Sequence, residues 1–293
     1  MTRRRFYVSR SAFDSSLETV TLATDEARHL RDVLRLQAGD EVYVFDGAGK
    51  EFQCRIEESR RDSARLAIAG EVEPARPESP LHLTLAVALL KGEKFDLVVQ
   101  KATELGVARV VPVITKLADI RLRDDRDASK RVARWQRIAL EAAKQSGRAV
   151  VPEVSSPIDF QSLLRKAGGT PDLTACAPGL IACAPGLNGL LFSERDGRPL
   201  KEAVEPLVRI AAVTGQPAAD GPPAHAGGSD LTRSEDFSLI ALVGSEGGWT
   251  DEELAAAREA GWKIVTLGGR TLRAETAAIA VAVLLQHLAG DLT

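Results

Sequence analysis

Two turns concentrate the residue types that could do chemistry. In Leu242–Thr250 (LVGSEGGWT) an apolar run leads into Gly244, Gly247 and Gly248, and Thr250 with Glu253 forms a capping box that starts a helix. Glycines after a strand let a ligand approach the backbone, and free amides at a helix start attract anionic or polar groups. In open α/β sheets, ligands bind at such carboxyl-end loops. The second turn, in Leu267–Ala280 (LGGRTLRAETAAIA), places Arg270, Arg273 and Glu275 beside an almost wholly apolar helix. The first turn is neither a GxGxxG dinucleotide fingerprint nor a GxxxxGK[ST] phosphate loop. A simple tight turn would also account for the first, and an Arg273 to Glu275 salt bridge for the second.

Two further segments carry charge at element boundaries. Lys91–Val107 (KGEKFDLVVQKATELGV) is a strand exit followed by an amphipathic helix bearing Lys94 and Lys101. Glu141–Arg148 (EAAKQSGR) is a helix end, where Gly147 suits a C-cap. No Ser/His/Asp set, HExxH or CxxC accompanies them, so hydrolase and metalloenzyme chemistry lack support. The cysteines (Cys54, Cys176, Cys183) are odd in number and the histidines (His29, His82, His225, His287) lie far apart, so neither a disulfide framework nor a metal site is expected.

The elements that must position these residues change character along the chain. Arg4–Val8, Thr19–Leu22, Glu41–Phe45, Glu51–Ser59 and Ala64–Gly70 alternate in period two, with Gly-Asp and Asp-Gly turns between them. They outline a small β-barrel, interrupted by a helix from Thr24 whose apolar stripe is Leu30, Val33, Leu34 and Leu36. The Pro-rich stretch Glu71–Pro80 reads as a linker. This places one domain at 1–73 and a second at 74–293. Beyond it strands alternate with helices, which is α/β grammar. The expected strands begin with LHLTLAVAL and RVVPVI and continue with VRIAAV (208–213), SLIALVG (238–244) and WKIVTLG (262–268). The expected helices are EKFDLVVQKATEL, Ser129 to about Gln145, DFQSLLRKA, one from Thr250, and a buried closing helix, Glu275–Ala289. A duplicated ACAPGL segment (174–187) and the Gly/Pro/Ala-rich stretch 215–230 read as surface insertions within about 173–235.

With 293 residues, 44% hydrophobic and 27% charged, the chain is neither disordered nor a small disulfide scaffold. No apolar run approaches a membrane span. The basic start lacks the apolar region of a signal peptide, so the reading is cytoplasmic. The net charge of −3 hides unlike parts: residues 91–150 carry 14 basic against 8 acidic groups, and residues 151–293 carry 11 against 18. A basic segment inside an acidic chain is either a solvated helix face or a footprint for a phosphate backbone.

Taken in order, RHLRDVLRL with FDG, KGEKFDLVVQKATELGV, EAAKQSGR, LVGSEGGWT and LGGRTLRAETAAIA resemble the RsmE family, SPOUT-class methyltransferases acting on uridine N3 in 16S ribosomal RNA. The resemblance implies a PUA-like barrel followed by an α/β domain with a deep trefoil knot. It also implies a homodimer and S-adenosylmethionine held by the two glycine turns. The cofactor residues it implies are Leu242, Gly244, Glu246, Gly247 and Gly248 in the first turn, and Leu267, Gly268, Arg270, Leu272, Arg273 and Thr276 in the second. Arg273, Glu275 and Glu246 become the candidate catalytic residues, for stabilising charge on a deprotonated uracil and accepting its N3 proton. Candidate contacts to RNA are Arg3, Arg4, Arg5, Arg31, Arg35, Lys91, Lys94, Lys101, Arg121, Arg123 and Arg148, with the small ribosomal subunit as partner and no metal. Ser245 and Gly269 stand where the family commonly has Pro, which predicts looser loops. A non-catalytic RNA-binding or assembly factor, or a SPOUT enzyme with another RNA target, is the alternative.

Overall fold

The computed structural model describes residues 3–118, 120–168, 188–214 and 237–292, which divide into two compact units. One comprises Met1–Glu78 with Arg134–Glu153, the other Ser79–Ala133 with Val154–Thr293. The duplicated segment, the Gly/Pro-rich stretch, Cys176, Cys183 and His225 lie outside the described residues.

The first unit holds β1 (Arg5–Tyr7), β2 (Thr19–Leu22), β3 (Glu41–Phe45), β4 (Glu51–Ser59) and β5 (Ala64–Val72) in the order β1-β3-β4-β5-β2. All pairs are antiparallel except β1 with β3. The inward residues of the alternating strands, among them Phe6, Val20, Leu22, Val42, Val44, Ile56 and Leu66, form one core. Cys54 belongs to it, and burial pushes its thiol up to about 12, so it is an inert packing residue.

The helix expected from Thr24 is shorter than its stripe. Helix α1 (Thr24–Arg28) runs into a π-helical turn, His29–Val33, closed by Leu34 N–H donating to the His29 carbonyl at 3.0 Å. The extra residue in that turn rotates Val33 and Leu34 into solvent, leaving Leu30 and Leu36 buried.

Residues 134–153 rejoin this unit without any linker-like composition, because their last turn supplies a buried cation. Helix α3 spans Asp125–Ser146, starting four residues before Ser129, with the Asp124 carboxylate accepting from Asp127 N–H at 2.8 Å. After it, the Arg148 guanidinium meets Glu78 at 2.6 Å, and Arg5 donates to the Arg148 carbonyl at 3.0 Å. Fully buried Glu51 accepts from Arg3 (2.9 Å), Arg5 (3.0 Å) and Ala75 N–H (3.0 Å). The side chains of Arg5 and Arg148 are each 6% exposed. This corrects their expected role: both hold the unit together and neither is available to RNA, while Arg3 is mainly committed to Glu51 and the Glu73 carbonyl.

The second unit is built on a sheet ordered β11-β13-β10-β12-β6-β7-β8, with β9 also on β7. Its strands are β6 (Leu81–Ala88), β7 (Arg109–Ile114), β8 (Glu153–Val154), β9 (Ile158–Asp159), β10 (Asn188–Phe192), β11 (Arg198–Pro199), β12 (Phe237–Val243) and β13 (Lys263–Thr266). From β11 across to β7 every pairing is parallel. The helices are α2 (Lys94–Glu104), α4 (Phe160–Gly168), α5 (Leu200–Thr214), α6 (Asp251–Glu259) and α7 (Ala274–Ala289).

Three expectations are corrected here. The NGLLF run of β10, inside the stretch read as insertion, is a central strand pairing with both β12 and β13. VRIAAV is part of α5, not a strand: Leu200, Ala203, Val204 and Leu207 are buried at helical spacing, and that packing overrides β-branched propensity. Helix α7 is buried on one face only, with Ala278, Val281, Ala282 and Leu285 inside while Val283 (38%) and Leu284 (37%) are exposed. Among the described residues, no helix is long and apolar enough to cross a membrane.

Replacing Glu51 by Leu would strand the Arg5 charge in the interior, at a cost of about 3–5 kcal/mol. Urea unfolding of the variant should show that loss, and wild-type stability would mean the network contributes nothing.

Candidate functional site

Because β13, β10 and β12 are neighbours and parallel, their carboxyl ends come together and so do the loops that leave them. These loops line one cavity of about 220 Å³: Phe192–Arg195 at the end of β10, Val243–Glu246 with Gly248 and Trp249 at the end of β12, and Thr266–Leu272 with Ala274 after β13, closed by Ala277 of α7. At Gly244, Gly248, Gly268 and Gly269 the wall is main chain.

Side chains tie the loops to one another. The Trp249 indole N–H donates to the Phe192 carbonyl at 2.8 Å and packs over Gly244, where an added Cβ would lie 3.0 Å from the ring. Ser193 N–H donates to the Val265 carbonyl at 2.9 Å. Arg195 bridges to the Trp249 carbonyl (3.0 Å) and to Asp251 (3.2 Å).

The capping box at the start of α6 does more than start a helix. Thr250 Oγ1 accepts from Glu253 N–H, while Glu253 accepts from Thr250 N–H (3.0 Å) with one carboxylate oxygen and from Lys116 N–H (2.9 Å) with the other. Glu253 is thereby buried with both oxygens satisfied, and it fixes the segment after β7 against the first glycine turn. Ser245 Oγ donates to the Leu117 carbonyl at 3.0 Å in the same place. The serine that replaces the family's usual proline thus anchors its loop instead of loosening it.

The second turn differs from a proline-bearing one. Gly269 has φ +76°, which proline cannot adopt, and Gly268 has φ +69°. Helix α7 then begins at Ala274 with Arg273 as its N-cap and no side-chain cap, so its first amides are free.

Of the residues proposed from sequence, Gly244, Glu246, Gly248, Leu267, Gly268, Arg270 and Leu272 line the cavity. Leu242 does not: it is a fully buried core residue of β12. Gly247 is also off the lining, and its small size serves packing, because a Cβ there would meet Leu117 Cβ at 2.9 Å and its carbonyl at 3.0 Å. Arg273 and Thr276 are exposed at the start of α7. Glu275 is not joined to Arg273. Lys94 instead donates to Glu246 and lies 4.0 Å from Glu275. Lys94 therefore belongs to the site and is not a free contact for phosphate, which corrects its expected role.

Among the other basic residues, Arg31 is engaged by Asp32 (2.7 Å) and two carbonyls, and Lys101 by Glu104 (2.8 Å). Arg4, Arg35, Lys91, Arg121 and Arg123 are exposed. Sequence reasoning missed Ser193, Glu194 and Arg195, whose only signal was the apolar NGLLF run before them. Among the described residues no group of His, Cys, Asp and Glu could hold a metal ion.

The comparisons with known proteins agree with this architecture. Residues 77–179 and 218–286 match an RNA methyltransferase domain family, and residues 22–69 match an RNA methyltransferase PUA domain. The ribosomal RNA small subunit methyltransferase E of Synechocystis is 31% identical, over 88% of this chain and 70% of that protein. Its counterpart in Bacillus subtilis is 27% identical over 93% of each. Among solved structures, the Neisseria gonorrhoeae ribosomal RNA small subunit methyltransferase E bound to S-adenosyl methionine is 32% identical, with TM-score 0.72 over all of both chains. A putative methyltransferase from Legionella pneumophila, in complex with the same cofactor, is 27% identical with TM-score 0.73 over 99% of this chain and all of that one.

The chain is thus of the RNA methyltransferase class, an α/β domain carrying a PUA domain. Within that class it belongs to the ribosomal RNA small subunit methyltransferase E, or RsmE, family.

Truncating Glu253 to Ala would leave the Lys116 and Thr250 amides unsatisfied, a loss of about 1–3 kcal/mol. Limited proteolysis should then cut near Lys116 sooner than in the wild type, and an unchanged pattern would show that the carboxylate does not pin this segment.

Proposed function

We propose that this chain transfers a methyl group from S-adenosylmethionine to N3 of a uridine in 16S ribosomal RNA. The observation that carries the reading is the main-chain-rich cavity at three adjacent strand ends, lined by Glu246 and capped by a free helix start. Its chemistry fits the cofactor. Glu194 and Glu246 face the cavity and complement the cofactor's ammonium and sulfonium, while the uncapped α7 amides suit its carboxylate. When bound, the cofactor supplies an activated methyl whose bonding pair leaves with sulfur as a neutral thioether.

The protein's own tasks are alignment, exclusion of water and management of the N3 proton. N3 lies on the pairing edge, so the uridine must be unpaired or flipped before it enters. Glu246 lines the cavity with its side chain 46% exposed, and it accepts the proton. Arg273, between the cavity-lining Leu272 and Ala274, balances the negative charge that spreads onto the uracil carbonyls. The exposed Arg121, Arg123 and Arg126 ahead of and within α3, together with Arg4 and Arg35, contact the phosphate backbone.

The reading extends to a cytoplasmic homodimer with a knotted second domain. Support for the dimer is the exposed apolar set of Val283 and Leu284 on α7 with Leu97 on α2. The order of the parallel strands is consistent with a knot.

Incubating the protein with methyl-labelled S-adenosylmethionine and small subunits lacking the modification tests the reaction directly. Label in 3-methyluridine is the expected result; label in another nucleoside, or none, refutes the assignment. Replacing Gly247 by Val should weaken cofactor binding at least tenfold in calorimetry, because the collision with Leu117 shifts the first turn. Neutralising Arg121, Arg123 and Arg126 together should reduce the slope of log affinity against log salt by about 2 while cofactor affinity holds. An unchanged slope would remove these arginines from the RNA interface.

A further inference from the structure

The charged group at the starts of α2 and α7 holds an imbalance. Lys94 Nζ donates to Glu246, and 4.0 Å away lies Glu275 Oε2. That oxygen is buried and has no hydrogen-bond partner, on a side chain only 12% exposed. One cation thus serves two carboxylates, and the more buried of the two is the one left bare.

We propose that Lys94 is a two-seat cation: it neutralises Glu246 in the resting protein and moves onto Glu275 when a uridine engages, freeing Glu246 to take the N3 proton. The inference rests on the uridine-N3 reading above and assigns Glu275 a positioning role that does not touch the substrate.

Three physical points support it. A carboxylate oxygen occupied by an ammonium donor has no room to receive a proton there, so the resting Lys94–Glu246 contact must open for Glu246 to act. An unpartnered buried carboxylate oxygen is costly to leave unmet, so Glu275 is a waiting acceptor. Glu275 Oε2, 4.0 Å away, is within reach of Lys94, and rotation about the lysine torsions can seat Nζ on it while carrying Nζ out of contact with Glu246.

The charges close at the end of the step. The N3–H proton passes to Glu246 as N3 bonds to the methyl carbon, and the pair of the breaking carbon–sulfur bond stays on sulfur. Lys94 then neutralises Glu275, Glu246 is protonated, and no bare carboxylate remains.

The test uses the full chain, unmodified small subunits and saturating cofactor, reading single-turnover formation of 3-methyluridine beside calorimetric cofactor affinity. Glu275→Gln removes the second seat and should slow the step about 100-fold with little change in affinity. Adding Lys94→Met to that variant removes the cation from Glu246, so the double variant should be about tenfold faster than Glu275→Gln alone. Lys94→Arg, whose fork spans both carboxylates, should also be slow although it keeps the charge. A double variant slower than Glu275→Gln, or a Lys94→Arg variant at the wild-type rate, overturns the proposal. Carboxyl-carbon NMR of the cofactor-free protein gives an arm independent of turnover: Lys94→Met should displace the carboxyl resonances of both Glu246 and Glu275 at neutral pH, and movement of Glu246 alone overturns the second seat. A wild type that forms no 3-methyluridine refutes the function reading itself, and the NMR arm still decides whether the seats exist.

Discussion

Everything in the second unit depends on β10 lying between β12 and β13 with all three parallel. Parallel strands send their exits to the same end of the sheet, so three loops far apart in sequence must meet. Those exits then bond across loops, through the main chain from Ser193 to Val265 and through the Trp249 indole to the Phe192 carbonyl. The cavity is therefore a product of strand order, held by the side chains that join its loops.

Glu253 extends this arrangement to a fourth segment. A carboxylate that caps α6 and also receives the Lys116 amide makes the start of a helix and the end of β7 one rigid piece. Gly247 is small for the same reason, since the Leu117 segment presses against it. The first unit is organised by a comparable device, in which Glu51 and Glu78 gather arginines from both ends of that unit's sequence.

Much of this was legible in the residues. The alternating strands of the first unit, the capping box and both glycine turns stand where their patterns put them. What escaped was whatever depends on partners distant in sequence. NGLLF is too short and too close to irregular sequence to announce a central strand, yet pairing on both edges makes it one. VRIAAV has the composition of a strand, and only the burial of Ala203, Val204 and Leu207 decides for a helix. Arg5 and Arg148 look like any surface arginines until Glu51 and Glu78 are seen beside them. Charge alone never distinguishes a cation that waits for phosphate from one already spent on a carboxylate.

The main-chain character of the cavity bears on how this protein could be inhibited and how it could escape. A compound that bonds to the carbonyls around Gly244, Gly248 and Gly268 meets groups that every amino acid keeps. Resistance would have to come from shifting the backbone, and Trp249, Ser193 and Glu253 oppose that shift. Selectivity would have to be sought at side chains that line the cavity, Ser245 and Arg195 among them.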